Sequence, residues 1–268
     1  MVKKRLIPLL LYREGKLVQS INFKHPMAIG NAITKIDFFN TWSVDEIILL
    51  DIGRKKENRN KFFEVIDGLT RRSFVPLTVG GWITSITEIK ELLHLGADKV
   101  AINTEAFTNP EFISKSSNSF GSQCIVISID AKKTNIGNEV HIDRGRKPIG
   151  ITAAEWALEA EKRGAGEILL TSIDNDGSRQ GYDLDLMKSV AGVVNIPVIA
   201  FGGVWTWDHL VDGITSGVEA VGVGNVFHFI EHSTKKAKEY LIGNGVDVRE
   251  SSFYKIETDR KPSYKEVL

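Results

Sequence analysis

Cysteine is almost absent from this chain, since Cys124 is the single one among 268 residues. A lone cysteine excludes a disulfide within the chain and is typical of a reducing compartment, so we expect a cytoplasmic protein. Cys124 begins an apolar run, and we predict that it is buried in a strand, where it is unsuited to be a nucleophile. Its chemistry must therefore come from other residues.

An excess of charge of either sign is also lacking. Lys and Arg together number 34, as do Asp and Glu. Without a basic surplus there is no electrostatic argument for a nucleic acid or an anionic membrane as partner. Long apolar runs are missing too: residues 6–12 imitate a leader peptide, but they are too short and meet Arg13 and Glu14. We expect neither a leader nor a membrane span.

The histidines give no sign of a metal centre. His228 and His232 stand one helical turn apart, but no third ligand accompanies them. Two surface histidines on a helix are the simpler interpretation. The sequence predicts no metal and no cofactor.

An internal repeat is the strongest pattern that is present. The segments 46–53, 76–81 and 96–104 return in the same order as 167–174, 197–203 and 217–225. The spacing between mates is constant, apart from one added residue in the second pair. The chain therefore reads as one unit written twice, with half-barrels at about 1–120 and 121–245.

Each half contains short apolar runs without clear alternation, as expected of parallel strands buried on both faces. We predict strands over 5–11, 46–52, 74–79, 98–103, 124–130, 167–173, 197–201 and 219–224. Amphipathic stretches lie between them, and Thr84, Asn109, Thr152 and Thr206 are predicted helix N-caps. The fold class that follows is α/β, a single (β/α)8 barrel over 1–245. A doubly wound open sheet would leave the repeat unexplained, and 246–268 reads as a polar, loosely docked extension.

The carboxyl ends of the strands form the mouth of such a barrel, where chemistry takes place. The first run ends on Leu11, whereas its counterpart ends on Asp130. Glycines and polar residues follow several other strands and precede helix starts, where backbone N–H groups attract phosphate. The candidate phosphate-binding residues are Gly81, Asn103, Thr104, Gly177, Gly203, Gly224 and Asn225. Tight strand-to-helix turns are the alternative explanation.

Four charged residues stand at the opposite ends of the predicted strands. They are Arg5, Glu46, Lys99 and Glu167. If they point inward, charges of alternating sign ring the barrel bottom. Spacing alone favours a structural ion-pair plug, because a buried charge needs a partner. The other hypothesis is a gate through which a small polar molecule enters the barrel.

These features together resemble the cyclase subunit of imidazole glycerol phosphate synthase, from residue 4 to about 249. The most specific matches are 74–81, 96–104, 128–132 and 162–174. The resemblance implies a heterodimer with a glutaminase that releases ammonia into the barrel bottom. It assigns Arg5, Glu46, Lys99 and Glu167 to the ammonia gate and Asp98 to the glutaminase interface. It also favours the gate over the plug.

The resemblance fails selectively at the mouth. The family uses two aspartates as general acid and base; Asp130 matches one of them, but Leu11 occupies the position of the other. Trp82 replaces a glycine, and Phe201 replaces a serine. We therefore expect the ammonia route to survive and cyclisation to be lost, since removing one such group typically costs about 10²–10⁴ in rate.

Divergent members of the family with this pattern occur with bacterial surface-polysaccharide clusters. There they are thought to supply ammonia to a third enzyme that converts an acetamido group of a nucleotide sugar to an acetamidino group. The resemblance implies the same role here, with a phosphorylated small molecule at the mouth. Two alternatives stay open: a working cyclase of histidine biosynthesis in which Glu14 replaces the missing acid, and a non-catalytic scaffold or activator of the glutaminase.

Overall fold

The computed structural model describes residues 3–32, 39, 44–54, 56, 59–229 and 233–250. Its centre is a closed ring of parallel strands, which confirms the predicted (β/α)8 barrel. The barrel strands are β1 (Arg5–Arg13), β4 (Ile47–Asp51), β5 (Leu77–Gly80), β6 (Lys99–Ile102), β7 (Ile125–Thr134), β10 (Glu167–Ser172), β11 (Val198–Phe201) and β12 (Ala220–Val223). They pair in that order, and β12 closes the ring on β1.

Helices cover the outside of the barrel between successive strands. Their bounds are α1 (Arg59–Thr70), α2 (Ile86–His94), α3 (Thr104–Thr108), α4 (Glu111–Phe120), α5 (Ala153–Lys162), α6 (Leu184–Ala191), α7 (Trp207–Thr215), α8 (Val226–Phe229) and α9 (Ser233–Gly243). Within the described segments, none of them is long and apolar enough to cross a membrane.

Two of the four predicted N-caps are confirmed, Thr152 for α5 and Thr206 for α7. The other two predictions were wrong by one residue. Ser85 caps α2 because its hydroxyl accepts a hydrogen bond from the Glu88 N–H, at 3.2 Å. Pro110 precedes α4, since Asn109 is used to end α3. Pro at this point has the backbone angle that a helix start needs and no N–H to lose.

Two antiparallel hairpins extend the mouth and were not predicted. In the first half, β1 continues into β2 (Lys16–Ile21) and β3 (Lys24–Gly30). In the second half, β7 continues into β8 (Gly137–Ile142) and β9 (Lys147–Thr152). Residues 22–23 and 143–144 at the two turns all have positive φ, between 49° and 61°. The repeat therefore extends to the backbone conformation of these turns.

Apolar side chains form two separate layers around the strands. The inner cluster fills the barrel and consists of Ile7, Leu9, Ile48, Ala101, Val126, Leu169, Ile199 and Ala220, with Leu11, Leu50 and Phe201 packed against it. A larger cluster lies between the strands and the helices. Both faces of each strand are thus buried, which explains why the barrel runs showed no alternation.

The strands begin later than predicted at two places. β5 starts at Leu77 and not at residue 74, because Phe74 lies outside the ring with 79% of its surface exposed. Cys124 belongs to a short 3-10 turn, Ser122–Cys124, and is only partly buried. The prediction of a buried strand cysteine was wrong, because this turn occupies the first residues of the run. The Cys124 side chain is therefore partly accessible to solvent.

The first residues of the predicted C-terminal extension pack on the barrel bottom. Val248 is 3% exposed and bridges to Lys4. Arg249 lies 3.2 Å from the Asp45 carboxylate, which also binds the buried Lys238 ammonium at 2.7 Å. These contacts fasten residues 246–250 to the barrel. The rest of the extension, 251–268, lies outside the described residues.

Candidate functional site

The four predicted gate residues meet in one closed ring at the barrel bottom. Arg5 donates to Glu46 at 2.9 Å and also pairs with Glu167. Lys99 Nζ lies 3.0 Å from Glu46 and 2.8 Å from Glu167. The carboxylates are nearly inaccessible, with side chains 3% and 6% exposed. Each buried charge therefore has two partners of opposite sign, and the ring is neutral as a whole.

Attraction within the ring holds its charges in place. Burial opposes the positive charge of Arg5, but the attraction of Glu167 and Glu46 outweighs it and raises the pKa of Arg5. The Thr78 hydroxyl donates to Glu46 at 2.6 Å. The ring lies at the starts of the strands, beneath the apolar inner cluster of the barrel. An apolar interior of this kind disfavours an unpaired charge, because burying one is costly.

Asp98 lies at the edge of the same face, exposed to solvent. Its carboxylate accepts a hydrogen bond from the Leu77 N–H at 2.8 Å. Its repeat mate, Glu219, accepts from the Val198 N–H at 3.0 Å in the same way. Asp98 therefore stabilises the start of β5 through this hydrogen bond, and it is also exposed at the surface.

The mouth is apolar in one half and acidic in the other. Leu11 pairs with Val18 across the first hairpin and packs on the inner cluster. Asp130 is 9% exposed, and the Asn103 amide donates to it at 3.0 Å. Burial, together with the charge of Asp176, raises the pKa of Asp130 to about 7. A group with that pKa can take up or release a proton near neutral pH.

Glu14 does not replace the acid that is missing at Leu11. β1 continues to Arg13, so Glu14 occupies the turn beyond it with a φ of 50°. Its side chain is 66% exposed and pairs with Arg13. Asp176 is the second acid that the structure places at the mouth: it accepts from the Ser20 hydroxyl at 2.7 Å and the Phe23 N–H at 3.0 Å. Burial raises the pKa of Asp176.

The raised pKa of Asp130 predicts a pH-dependent stability. A carboxyl group whose pKa is about 7 in the folded chain and about 3.9 when unfolded destabilises the fold progressively as the pH rises between these values. Asp130→Asn should therefore be more stable than the parent at about pH 8, by on the order of 2–4 kcal/mol, with the difference vanishing near pH 4. Urea denaturation at both pH values measures this. Equal differences at the two pH values would contradict the burial argument.

Four of the candidate phosphate-binding residues line one cleft at the mouth; they are Gly177, Gly203, Gly224 and Asn225. Leu11, Asp176 and Phe201 contribute to its wall. Gly203 must be glycine because its φ is 96° and a Cβ would lie 2.1 Å from the Gly181 carbonyl oxygen. Gly203 thus lets two backbone segments approach each other closely beside the cleft.

The other three candidates do not join this cleft. The Asn103 amide is already bonded to Asp130 and to the Ser128 carbonyl, and the Thr104 hydroxyl accepts from the Asp143 N–H. Gly81 packs against Asp51, since a Cβ there would lie 2.3 Å from the Asp51 carbonyl oxygen. These three candidates of the first half thus make contacts within the protein, whereas the four candidates of the second half line the cleft.

An arginine lies over a tryptophan in each half of the mouth. Arg179 is 4.0 Å from the Trp205 ring centre, and both residues line the cleft. Arg144 is 5.5 Å from the Trp82 ring centre and donates to the Gly53 carbonyl at 3.0 Å. Such pairs offer a flat ring face beside a positive charge. Sequence reasoning missed both arginines, because stacking joins residues far apart in the chain.

Inorganic phosphate should bind in this cleft and raise the melting temperature of the chain. A ligand at 100 times its dissociation constant stabilises a protein by about 2.7 kcal/mol. Arg179→Ala should reduce the rise, since it removes the positive charge at the cleft. Arg146→Ala, an exposed mouth arginine outside the cleft lining, is the matched control. Identical phosphate titrations for the two variants would argue against an anion site here.

The residues that the structure describes contain no cluster of three or more His, Cys, Asp or Glu side chains that could hold a metal ion. His232 lies outside the described residues, as does the side chain of His228. The pair therefore stays a prediction of two helix-surface histidines.

Comparisons with known proteins agree with the geometry. A family described as histidine biosynthesis protein matches residues 5–233. A protein of Vibrio vulnificus (strain YJ016), provisionally named imidazole glycerol phosphate synthase subunit hisF2, is 45% identical over 258 residues. The alignment covers 96% of this chain and 95% of that protein. The similarity thus spans both ends of the barrel.

Proposed function

Because this chain belongs to the histidine biosynthesis protein family, we propose that it is a cyclase-like synthase subunit that conducts ammonia from a separate glutaminase. The observation that carries the proposal is the closed, neutral ring at the barrel bottom beneath an apolar interior. A plug that only stabilised the fold could be replaced by apolar side chains at little cost. An intact polar ring therefore supports a transport role.

The partner docks, in this proposal, on the face around the ring. Phe74 precedes β5 and is 79% exposed, and the Leu77 N–H at the start of β5 donates to Asp98. Exposed aromatic side chains are the commonest anchors of protein interfaces, and a charged neighbour favours correct orientation. Ammonia released by a glutaminase on this face enters at Arg5, Glu46, Lys99 and Glu167.

Loss of the exposed aromatic anchor tests the docking face. Phe74→Ser should weaken binding of the glutaminase from the same organism by about tenfold or more, as expected for an anchor worth over ~1.4 kcal/mol. Ile136→Ser is the matched control, because Ile136 is 44% exposed in the hairpin turn at the mouth. Calorimetry measures both affinities. Equal affinities would place the partner elsewhere.

The ammonia acceptor differs, we propose, from the ribonucleotide of the cyclase reaction. Leu11 removes one acid, and Trp82 and Phe201 add bulk at the mouth. The cleft with Arg179 over Trp205 suits a phosphorylated sugar, whose apolar ring face can lie on an aromatic ring. The proposed role is amidation of an acetamido group of a nucleotide sugar to an acetamidino group, for surface-polysaccharide synthesis, with a third enzyme.

The working-cyclase alternative requires a second acid in place of Leu11. Glu14 is exposed at a turn, which argues against it. The scaffold alternative shares the docking face and differs in having no through-passage. The scaffold alternative predicts that substitutions in the ring leave ammonia delivery unaltered. Ring variants therefore distinguish it from the ammonia-conducting proposal.

A further inference from the structure

The two hairpins at the mouth place different pairs at equivalent positions. In the first half, Leu11 lies directly opposite Val18; in the second, Asp130 lies directly opposite His141. Residues directly opposite in an antiparallel pair project from the same face, about 4.5–5.5 Å apart at Cβ. One half of the mouth therefore carries an apolar pair, and the other carries a carboxyl group beside an imidazole.

The imidazole of His141 has a fixed tautomer. It is 7% exposed, and its Nδ1 lies 3.1 Å from the Gly145 carbonyl oxygen. A carbonyl oxygen can only accept, so Nδ1 carries the proton and Nε2 presents a lone pair. Nε2 is buried and has no hydrogen-bond partner among the described residues. An unsatisfied buried acceptor is costly, so its persistence needs a reason.

The surrounding turn holds the ring in this orientation. A Cβ at Gly145 would lie 2.9 Å from the Phe23 ring and 3.0 Å from the Ile173 side chain. The Asp143 N–H donates to the Thr104 hydroxyl at 3.0 Å, which ties the turn to the opposite half of the mouth. Turning the His141 ring would break the hydrogen bond between Nδ1 and the Gly145 carbonyl.

Asp130 is the residue opposite His141, and its ionised carboxylate accepts hydrogen bonds. Asp130 is bonded by Asn103 and Thr171, and His141 is not among its partners. Its carboxylate offers acceptor oxygens, and His141 Nε2 offers a second acceptor on the same face. A small molecule rich in N–H donors complements both.

We infer that His141 Nε2 is a receiving site for ammonia or ammonium at the barrel exit, beside Asp130. The identity of the ligand rests on the proposed ammonia transport. The observation that Nε2 has no hydrogen-bond partner among the described residues is independent of that proposal. Nε2 is fully buried, which favours a ligand of this size over a sugar. Leu11 and Val18 provide no such site in the other half, so ammonia is retained on one side of the mouth.

The test uses the whole chain without its partner. Ammonium chloride should raise the melting temperature above that in equal potassium chloride, and should shift the His141 Nε2 resonance in nitrogen-15 spectra. Methylammonium chloride, one methyl group larger, should do neither. His141→Phe keeps a ring but removes the Nε2 acceptor. It should show no ammonium effect.

His94→Gln, an exposed histidine on α2, is the control and should respond to ammonium as the parent does. A proton on Nε2, an unchanged Nε2 resonance in ammonium, or a response that persists in His141→Phe would each overturn the inference. Failure of the glutaminase to bind would instead count against the proposed function. The two claims therefore fail separately.

Discussion

Given ammonium salts and the ribonucleotide substrate of the cyclase family, the purified chain should turn over about 10²–10⁴ times more slowly than members with both acids. Leu11 leaves Asp130 as the sole carboxyl group of the expected pair, and one group cannot readily serve opposite ends of a substrate. Asp176 is engaged by Ser20 and Phe23. Steady-state kinetics with the family substrate measure the rate, and a rate near that of ordinary members would contradict the account.

Restoring the acid should not restore the activity fully. Leu11→Asp places a carboxyl group against Val18 and the inner cluster, while Trp82 and Phe201 keep their bulk. Leu11→Asn is the matched control, because asparagine has nearly the same shape as aspartate but carries no charge. If Leu11→Asp alone reached the rate of two-acid members, the aromatic replacements would have no part in the loss.

Lys99→Ala should uncouple glutamine hydrolysis from ammonia use. Lys99 bridges Glu46 and Glu167, so its removal leaves both carboxylates with Arg5 as their remaining charged partner in the ring. Breaking a buried ion pair typically costs about 3–5 kcal/mol. We expect a less stable chain that still binds the glutaminase but produces more glutamate per product formed.

Two control variants distinguish an effect of the ring from a general effect of losing a lysine. Lys99→Arg keeps the charge, and Lys90→Ala removes an exposed lysine from α2. The ratio of glutamate to product, measured in the same reaction, should stay near the parent value for both. An unchanged ratio in Lys99→Ala would favour the scaffold alternative.

Much of the barrel was predictable because the same pattern of strands occurs in both halves of the sequence. Blocks such as 46–53 and 167–174 mark buried strands, and Glu46 and Glu167 are repeat mates at two strand starts. The hairpins were missed because polar residues interrupt the apolar ones in their strands, as in Lys16–Ile21 and Gly137–Ile142. The signal was the turn residues, especially Asp143-Arg144-Gly145, which favour left-handed backbone conformations.

The site was less predictable, since it depends on long-range register. Nothing near His141 in sequence connects it with Asp130; the pairing of β7 with β8 does. The stacking of Arg179 on Trp205 likewise depends on how two loops meet at the mouth. The repeat alone does not place His141, because the chain between Asp130 and His141 is longer than the chain between Leu11 and Val18.

The most direct test of ammonia conduction follows the nitrogen itself. The chain, its glutaminase and the sugar-modifying enzyme would be supplied with glutamine labelled with nitrogen-15 at the amide, in an excess of unlabelled ammonium. If ammonia travels through the barrel from Arg5 to the mouth, the product should carry the label and Lys99→Ala should dilute it. A product that draws its nitrogen from the unlabelled ammonium, with or without Lys99, would contradict the account.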